Sequence, residues 1–309
     1  MKILVVGGTG MVGGNAAIYL QQQGHDVAIM SRNAPTAPGL VGLPFIQGDY
    51  IADTEAEAQS GLPATLSAFD ALVFAAAVDV RYLPQDGSVT AEAFYHQANT
   101  VAVPRFFALA QAAGIKRCVY LGSFYPTVAP ERIEICPYVR SRHSTDQAVL
   151  AMSRPGFNVC SLNAPFILGY TPGLSIPHLD ALVQYASGSL AGVPVFSPLG
   201  GTNHISSQSV SEAILGALLR GETGKSYLIG DENYNWKDYL ELWFTAAGNP
   251  QNLAVSEDDH PMLPNAIMFA GAGATVSYEP DSAETELLGY GRNRIAALIK
   301  EMVAHYQAV

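Results

Sequence analysis

Three glycines at intervals of three, Gly7, Gly10 and Gly13, follow directly on the apolar run Ile3-Leu4-Val5-Val6 and lead into a helical pattern. Glycines so placed let the backbone turn tightly, approach a pyrophosphate closely and present it to the positive end of a helix dipole. The strand–loop–helix context is the one in which such a loop binds a dinucleotide, rather than serving as a plain glycine-rich turn. Thr9, Met11 and Val12 lie between the glycines and are expected among the contacts.

About twenty residues beyond the loop, where a carboxylate usually takes the adenosine ribose hydroxyls of NAD, the chain reads Ser31-Arg32-Asn33. An arginine there can pair with a 2′-phosphate, and no carboxylate is present to repel it. NADP(H) is therefore favoured over NAD(H), with Asn33 able to serve either. Gly48-Asp49-Tyr50 puts a carboxylate and an aromatic where the adenine should lie. Ala75-Ala76-Ala77 offers small side chains along the cofactor.

These groups need a scaffold that brings strand ends to one edge. Apolar runs at 3–6, 26–30, 44–46, 71–77, 117–121 and 157–162 alternate with helical patterns at 10–23, 64–69, 91–113 and 138–152, which predicts an α/β fold with a doubly wound parallel sheet buried on both faces. From about Tyr170 onward Gly/Pro-rich loops mix with shorter helices, at 209–220 and 236–247. We expect residues 1–169 to bind the cofactor and residues 170–309 to form a smaller substrate-binding lobe, partly interleaved with the first. Glu55 and Glu57 read as a solvated face.

Composition excludes several functions. With 16 Lys+Arg against 27 Asp+Glu, the net charge is −11, a field that repels nucleic acid and anionic membranes. The N-terminal apolar run is too short for a signal peptide, and the longest later apolar stretch, 266–276, is glycine-broken. Cys118, Cys136 and Cys160 lack metal-ligand spacing and suit reduced thiols. A cytoplasmic protein without a metal site is expected.

The GxxGxxG loop, Gly48-Asp49, Asn99, the segment 113–120, Ser123, Tyr138, Asn163-Ala164-Pro165-Phe166-Ile167-Leu168-Gly169 and Glu286-Leu287-Leu288-Gly289-Tyr290 together resemble the extended branch of the short-chain dehydrogenase/reductase superfamily. That branch holds NAD(P)-dependent epimerases, dehydratases and ketoreductases on a Rossmann-type sheet. The resemblance implies that Tyr138 is the general acid/base and Ser123 the hydrogen-bond partner of the reacting oxygen. It also implies a homodimer, through the helices at 91–113 and 138–152. Asn99 either orders a catalytic water or bridges structure within its helix, and Pro165 borders the cofactor.

The family's lysine four residues after the tyrosine is replaced by Arg142, which shares a helical face with Tyr138. A guanidinium can hold ribose hydroxyls and favour the phenolate, but it cannot relay a proton. His143 points away from that face and reads as solvated or packed. His178 and His204 are substrate contacts at most.

Between His143 and Leu219 the only Lys or Arg is Arg154, which argues against a nucleotide-sugar pyrophosphate in the pocket. Phe124, Tyr125, Phe166 and Tyr170, where they are not simply core, suit a neutral, partly apolar small molecule. The resulting expectation is an NADP(H)-dependent carbonyl reductase or alcohol dehydrogenase. The alternatives are a sugar epimerase or dehydratase that retains its nicotinamide, and an inactive NADP-binding regulator.

Overall fold

The computed structural model describes residues 1–55 and 61–308; Glu57 and the side chain of Glu55 lie outside the described set. The sheet begins with β1 (Lys2–Val6), β2 (Asp26–Ser31), β3 (Phe45–Gln47), β4 (Ala71–Phe74), β5 (Arg117–Ser123) and β6 (Asn158–Ala164). The later strands are β7 (Phe166–Leu168), β8 (Ser197–Pro198), β9 (Gly201–Ser206), β10 (Ser226–Leu228), β11 (Glu232–Asn235), β12 (Val255–Ser256) and β13 (Thr275–Val276). Seven of them form one sheet in the order β10-β6-β5-β4-β1-β2-β3. Every pairing in it is parallel. The chain winds outward from β1 in both directions, so a crevice opens at the carboxyl ends of β1 and β4.

Continuous apolar strands are explained by burial on both faces. Ile3 and Val5 of β1 enter one core with Ala16, Ala17 and Leu20 of the first helix, Met11–Gln22, and with Val210, Ala213 and Ile214 of the helix Ser207–Arg220. Leu4 and Val6 enter the opposite core with Phe106 and Phe107 of the helix Ala102–Ala112 and Val149 of the helix Pro137–Ala151. Each buried Val, Leu, Ile or Phe among them contributes about 1.5–3 kcal/mol of transfer free energy.

Four expected elements differ. The strand at 71–77 stops at Phe74, and Ala75 to Ala77 open into a loop. The helix at 64–69 spans Leu62–Leu66, starting earlier because Pro63 is suited to a first turn. The helix at 209–220 starts at Ser207, since the Ser206 side chain accepts the Ser209 N–H at 2.9 Å and caps it. The helix at 91–113 is interrupted by a π-turn over His96–Val101. Pro104 sits just beyond that turn; it has no N–H to donate, and its ring would crowd the carbonyl four residues back, so local widening relieves both.

Beyond Ala164 the chain builds a small sheet of β11, β9, β13 and β7 and the pair β12-β8, while β10 returns to the main sheet beside β6. A third core gathers Tyr185, Trp236, Tyr239, Trp243, Phe244, Ile299 and Met302 from three helices. Among the described residues no helix is long and apolar enough to cross a membrane.

Candidate active site

At two of its three motif glycines the loop packs too tightly for a side chain. Gly7 has φ +82°, and a Cβ there would come within 2.8 Å of the Ala76 backbone nitrogen. A Cβ on Gly13 would overlap the Gly7 carbonyl oxygen. Gly10 is exposed and open on its outer side, and it precedes a first helix with no side-chain cap and no acidic residue in its first turn. The first N–H groups of that helix are thus free to meet an anion. Val12 packs on the first core and Met11 on the third, which fixes the helix start between the two lobes. This cradle fits a dinucleotide pyrophosphate.

At the end of β2 the Ser31 hydroxyl accepts the Thr9 N–H at 3.3 Å, joining it to the loop. Arg32 is exposed, with its guanidinium carbon 5.9 Å from the Tyr82 ring centroid, and no described carboxylate pairs with it. Asn33 is exposed beside it. Asp49 accepts the Ile51 N–H at 3.0 Å and so caps the short helix Tyr50–Glu55. The Tyr50 ring turns inward, edge-on to Phe74 at 5.3 Å, with a buried hydroxyl that makes no hydrogen bond. Ala75 and Ala76 abut Gly7, Ala77 is exposed, and Pro165 is buried between β6 and β7.

Ser123 ends β5, and Tyr138 opens the helix Pro137–Ala151. The structure brings them together: burial raises the Tyr138 phenol, while Arg142 and hydrogen bonding to the Ser123 side chain pull it back. Arg142 is buried, donates from Nη2 to the Leu121 carbonyl, and holds its guanidinium carbon 5.2 Å from the Tyr120 ring centroid. Its Nε and Nη1 make no hydrogen bond. Burial acts against its charge, while the nearby Tyr120, Tyr138, Tyr50 and Asp146 raise its pKa, and the guanidinium stays protonated. Asn99, within the π-turn, is fully buried; its Nδ2 donates to the Ser141 hydroxyl at 3.0 Å, and that hydroxyl donates to the Tyr138 carbonyl at 2.8 Å. Asn99 Oδ1 is left without a partner.

The aromatic candidates separate into two groups. Phe124 and Tyr125 lie near Tyr138, with Tyr125 edge-on to Phe269 at 5.7 Å and Phe269 stacked on Tyr138. Phe166 instead packs among His204, Trp236 and Tyr239, and Tyr170 against His305. Sequence reasoning missed Phe269, whose only signal was the apolar stretch at 266–276. It also missed Arg81, which follows β4 and acts electrostatically on both Tyr138 and His178. Arg81 is neutralised by Asp79, which accepts its Nη2 at 2.6 Å.

Residues 3–230 match the NAD dependent epimerase/dehydratase family. The 2-alkyl-3-oxoalkanoate reductase of Stenotrophomonas maltophilia (strain K279a) is 24% identical over 274 residues, covering 81% of this chain and 77% of the relative. The UDP-glucose-4-epimerase from Stenotrophomonas maltophila, solved with bound NAD and formylated UDP-arabinopyranose, has a TM-score of 0.75 at 18% identity, covering 100% of this chain and 98% of the other. The Thermotoga maritima UDP-glucose 4-epimerase, solved with UDP-glucose, has a TM-score of 0.75 at 14% identity, covering 100% and 99%. At such identity the structures share the fold. With the glycine cradle and the strand order already pointing the same way, the chain belongs to the NAD dependent epimerase/dehydratase family.

Proposed function

We propose that this protein is an NADP(H)-dependent reductase of neutral, partly apolar carbonyl compounds. The observation that carries the reading is the pairing of Ser123 with Tyr138 at the sheet edge beside the glycine cradle, among Phe124, Tyr125, Tyr95 and Phe269. The reductase name of the Stenotrophomonas maltophilia (strain K279a) relative supports reduction of a ketone. The free guanidinium of Arg32 and the absence of a carboxylate at the end of β2 favour a 2′-phosphate. Residues 1–169 would supply the cofactor contacts, and the later residues the far wall of the substrate pocket.

With its pyrophosphate in the cradle, the dinucleotide would supply the hydride from its nicotinamide. Ser123 holds the substrate oxygen, and the Tyr138 phenol gives it the proton. Arg142, charged and buried close by, offsets the negative charge left on the phenolate. Arg142 does not deprotonate, so Tyr138 must be reprotonated through another route, such as water at the open edge.

The test is NADPH absorbance in the presence of a ketone panel, with titration of both cofactors. Net oxidation of NADPH, tighter binding of NADP than NAD and a loss of about 100-fold or more in Tyr138→Phe are expected. Interconversion of a nucleotide sugar without net absorbance change would favour the epimerase reading. Tight NADP binding with no turnover would favour an inactive regulator.

A further inference from the structure

Phe269 belongs to neither Rossmann core, yet it reaches across to the tyrosine. Its ring stacks face to face on Tyr138, with centroids 4.0 Å apart and planes 19° apart, while Tyr95 meets the same tyrosine edge-on at 5.5 Å. The ring is half-buried and absent from all the buried clusters, so it is not core filling. Its place is set through the backbone: Arg132 Nε donates to the Phe269 carbonyl at 2.9 Å, and the Gly271 N–H donates to the Met268 carbonyl at 2.8 Å. Gly271 takes φ +114°, a conformation that favours glycine, which lets the segment reverse just after the ring.

One face of Tyr138 is thus covered by Phe269 and another side is met edge-on by Tyr95, so these two rings bound a ligand's approach to the tyrosine. We propose that Phe269 is the specificity-determining wall of the pocket, admitting flat or unbranched carbonyl compounds and rejecting those branched beside the carbonyl or built on a pyranose ring. The inference rests on the reading of Tyr138 as proton donor. A branched substituent must displace the ring from its stack on Tyr138, so discrimination is on the order of 10-fold or more, as expected of a pocket that distinguishes single carbon groups.

The experiment compares methyl butyl ketone and acetophenone with diisopropyl ketone as substrates of the wild type, Phe269→Ala and Phe269→Leu, with NADPH saturating. The wild type should prefer the first two. Phe269→Ala should raise kcat/KM for diisopropyl ketone relative to methyl butyl ketone by about 10-fold or more, with Phe269→Leu intermediate and NADPH affinity unchanged. Ratios that stay constant across the three proteins overturn the proposal, and so does a parallel fall for all ketones. If the wild type turns over no ketone, the reductase reading fails separately. The same ratio is then taken from dissociation constants, by calorimetric titration of the ketones into the NADP-loaded proteins. There a shift of that size in Phe269→Ala sustains the wall, and an unchanged ratio or no binding overturns it.

Discussion

Arg142 donates to the carbonyl of Leu121, so the cation that stands four residues after Tyr138 is anchored to the strand that carries Ser123. One residue thereby ties the tyrosine helix to β5 and sets the charge beside the phenol.

Removing that charge should move the pH dependence. Arg142 lowers the Tyr138 phenol against the rise caused by burial, so Arg142→Met raises it further. Under the proposed mechanism ketone reduction needs the protonated phenol and declines as pH passes its pKa, so the alkaline limb of kcat/KM should shift to higher pH. Arg142→Lys keeps the charge and should shift it less. An unmoved limb in Arg142→Met would separate Arg142 from the proton donor.

Arg32 should govern the choice between the two cofactors. A lost charge-assisted pair costs about 1.5–3 kcal/mol, so Arg32→Ala is expected to weaken NADP binding by roughly 10- to 100-fold while leaving NAD nearly unchanged. Parallel fluorescence titrations with each cofactor give the ratio. Equal losses for both would remove Arg32 from the 2′-phosphate.

Gly7→Ala combines a left-handed backbone with a Cβ pressed on the Ala76 backbone. The conformation alone costs roughly 1–2 kcal/mol, and the clash adds to it. Lower Tm and loss of binding for both cofactors should appear together, unlike the selective defect of Arg32→Ala.

His204 is fully buried and stacked on Tyr239, and burial lowers its pKa to about 3. Its Nδ1 lies 3.1 Å from the Thr202 carbonyl, which favours the tautomer protonated there. The folded state keeps the ring neutral while the unfolded chain protonates near pH 6.5, so stability falls as pH drops from about 6.5 toward 3, by up to about 1.4 kcal/mol per pH unit. Urea unfolding of His204→Phe should show a flatter decline than wild type over that window. Identical slopes would remove His204 from the decline and leave it to other groups, such as His178 and His260, whose pKa values burial also lowers.

The parts of the fold that sequence made legible are those with local signatures. Each face of β1 is apolar and the glycines follow at once, so strand, loop and helix could be read together. The Tyr138–Arg142 spacing showed a common helical face, because helical geometry alone decides it. What lay hidden depends on distant partners. Asn99 is held by Ser141 of another helix, and the Phe269 stack joins a late loop to a mid-chain helix. The aromatics of the substrate region have compositions alike, and only tertiary packing sends Phe166 into the third core while Tyr125 stays beside Tyr138.

The return of β10 to pair with β6 also dictates an order of events during synthesis. Roughly sixty residues separate these neighbours in the chain. At about 5–20 residues per second, a nascent chain holds the outer edge of β6 unpaired for several seconds before its neighbour emerges. An unpaired edge is a template for another chain, so a fragment ending near residue 169 would keep permanently the vulnerability that the whole protein passes through briefly.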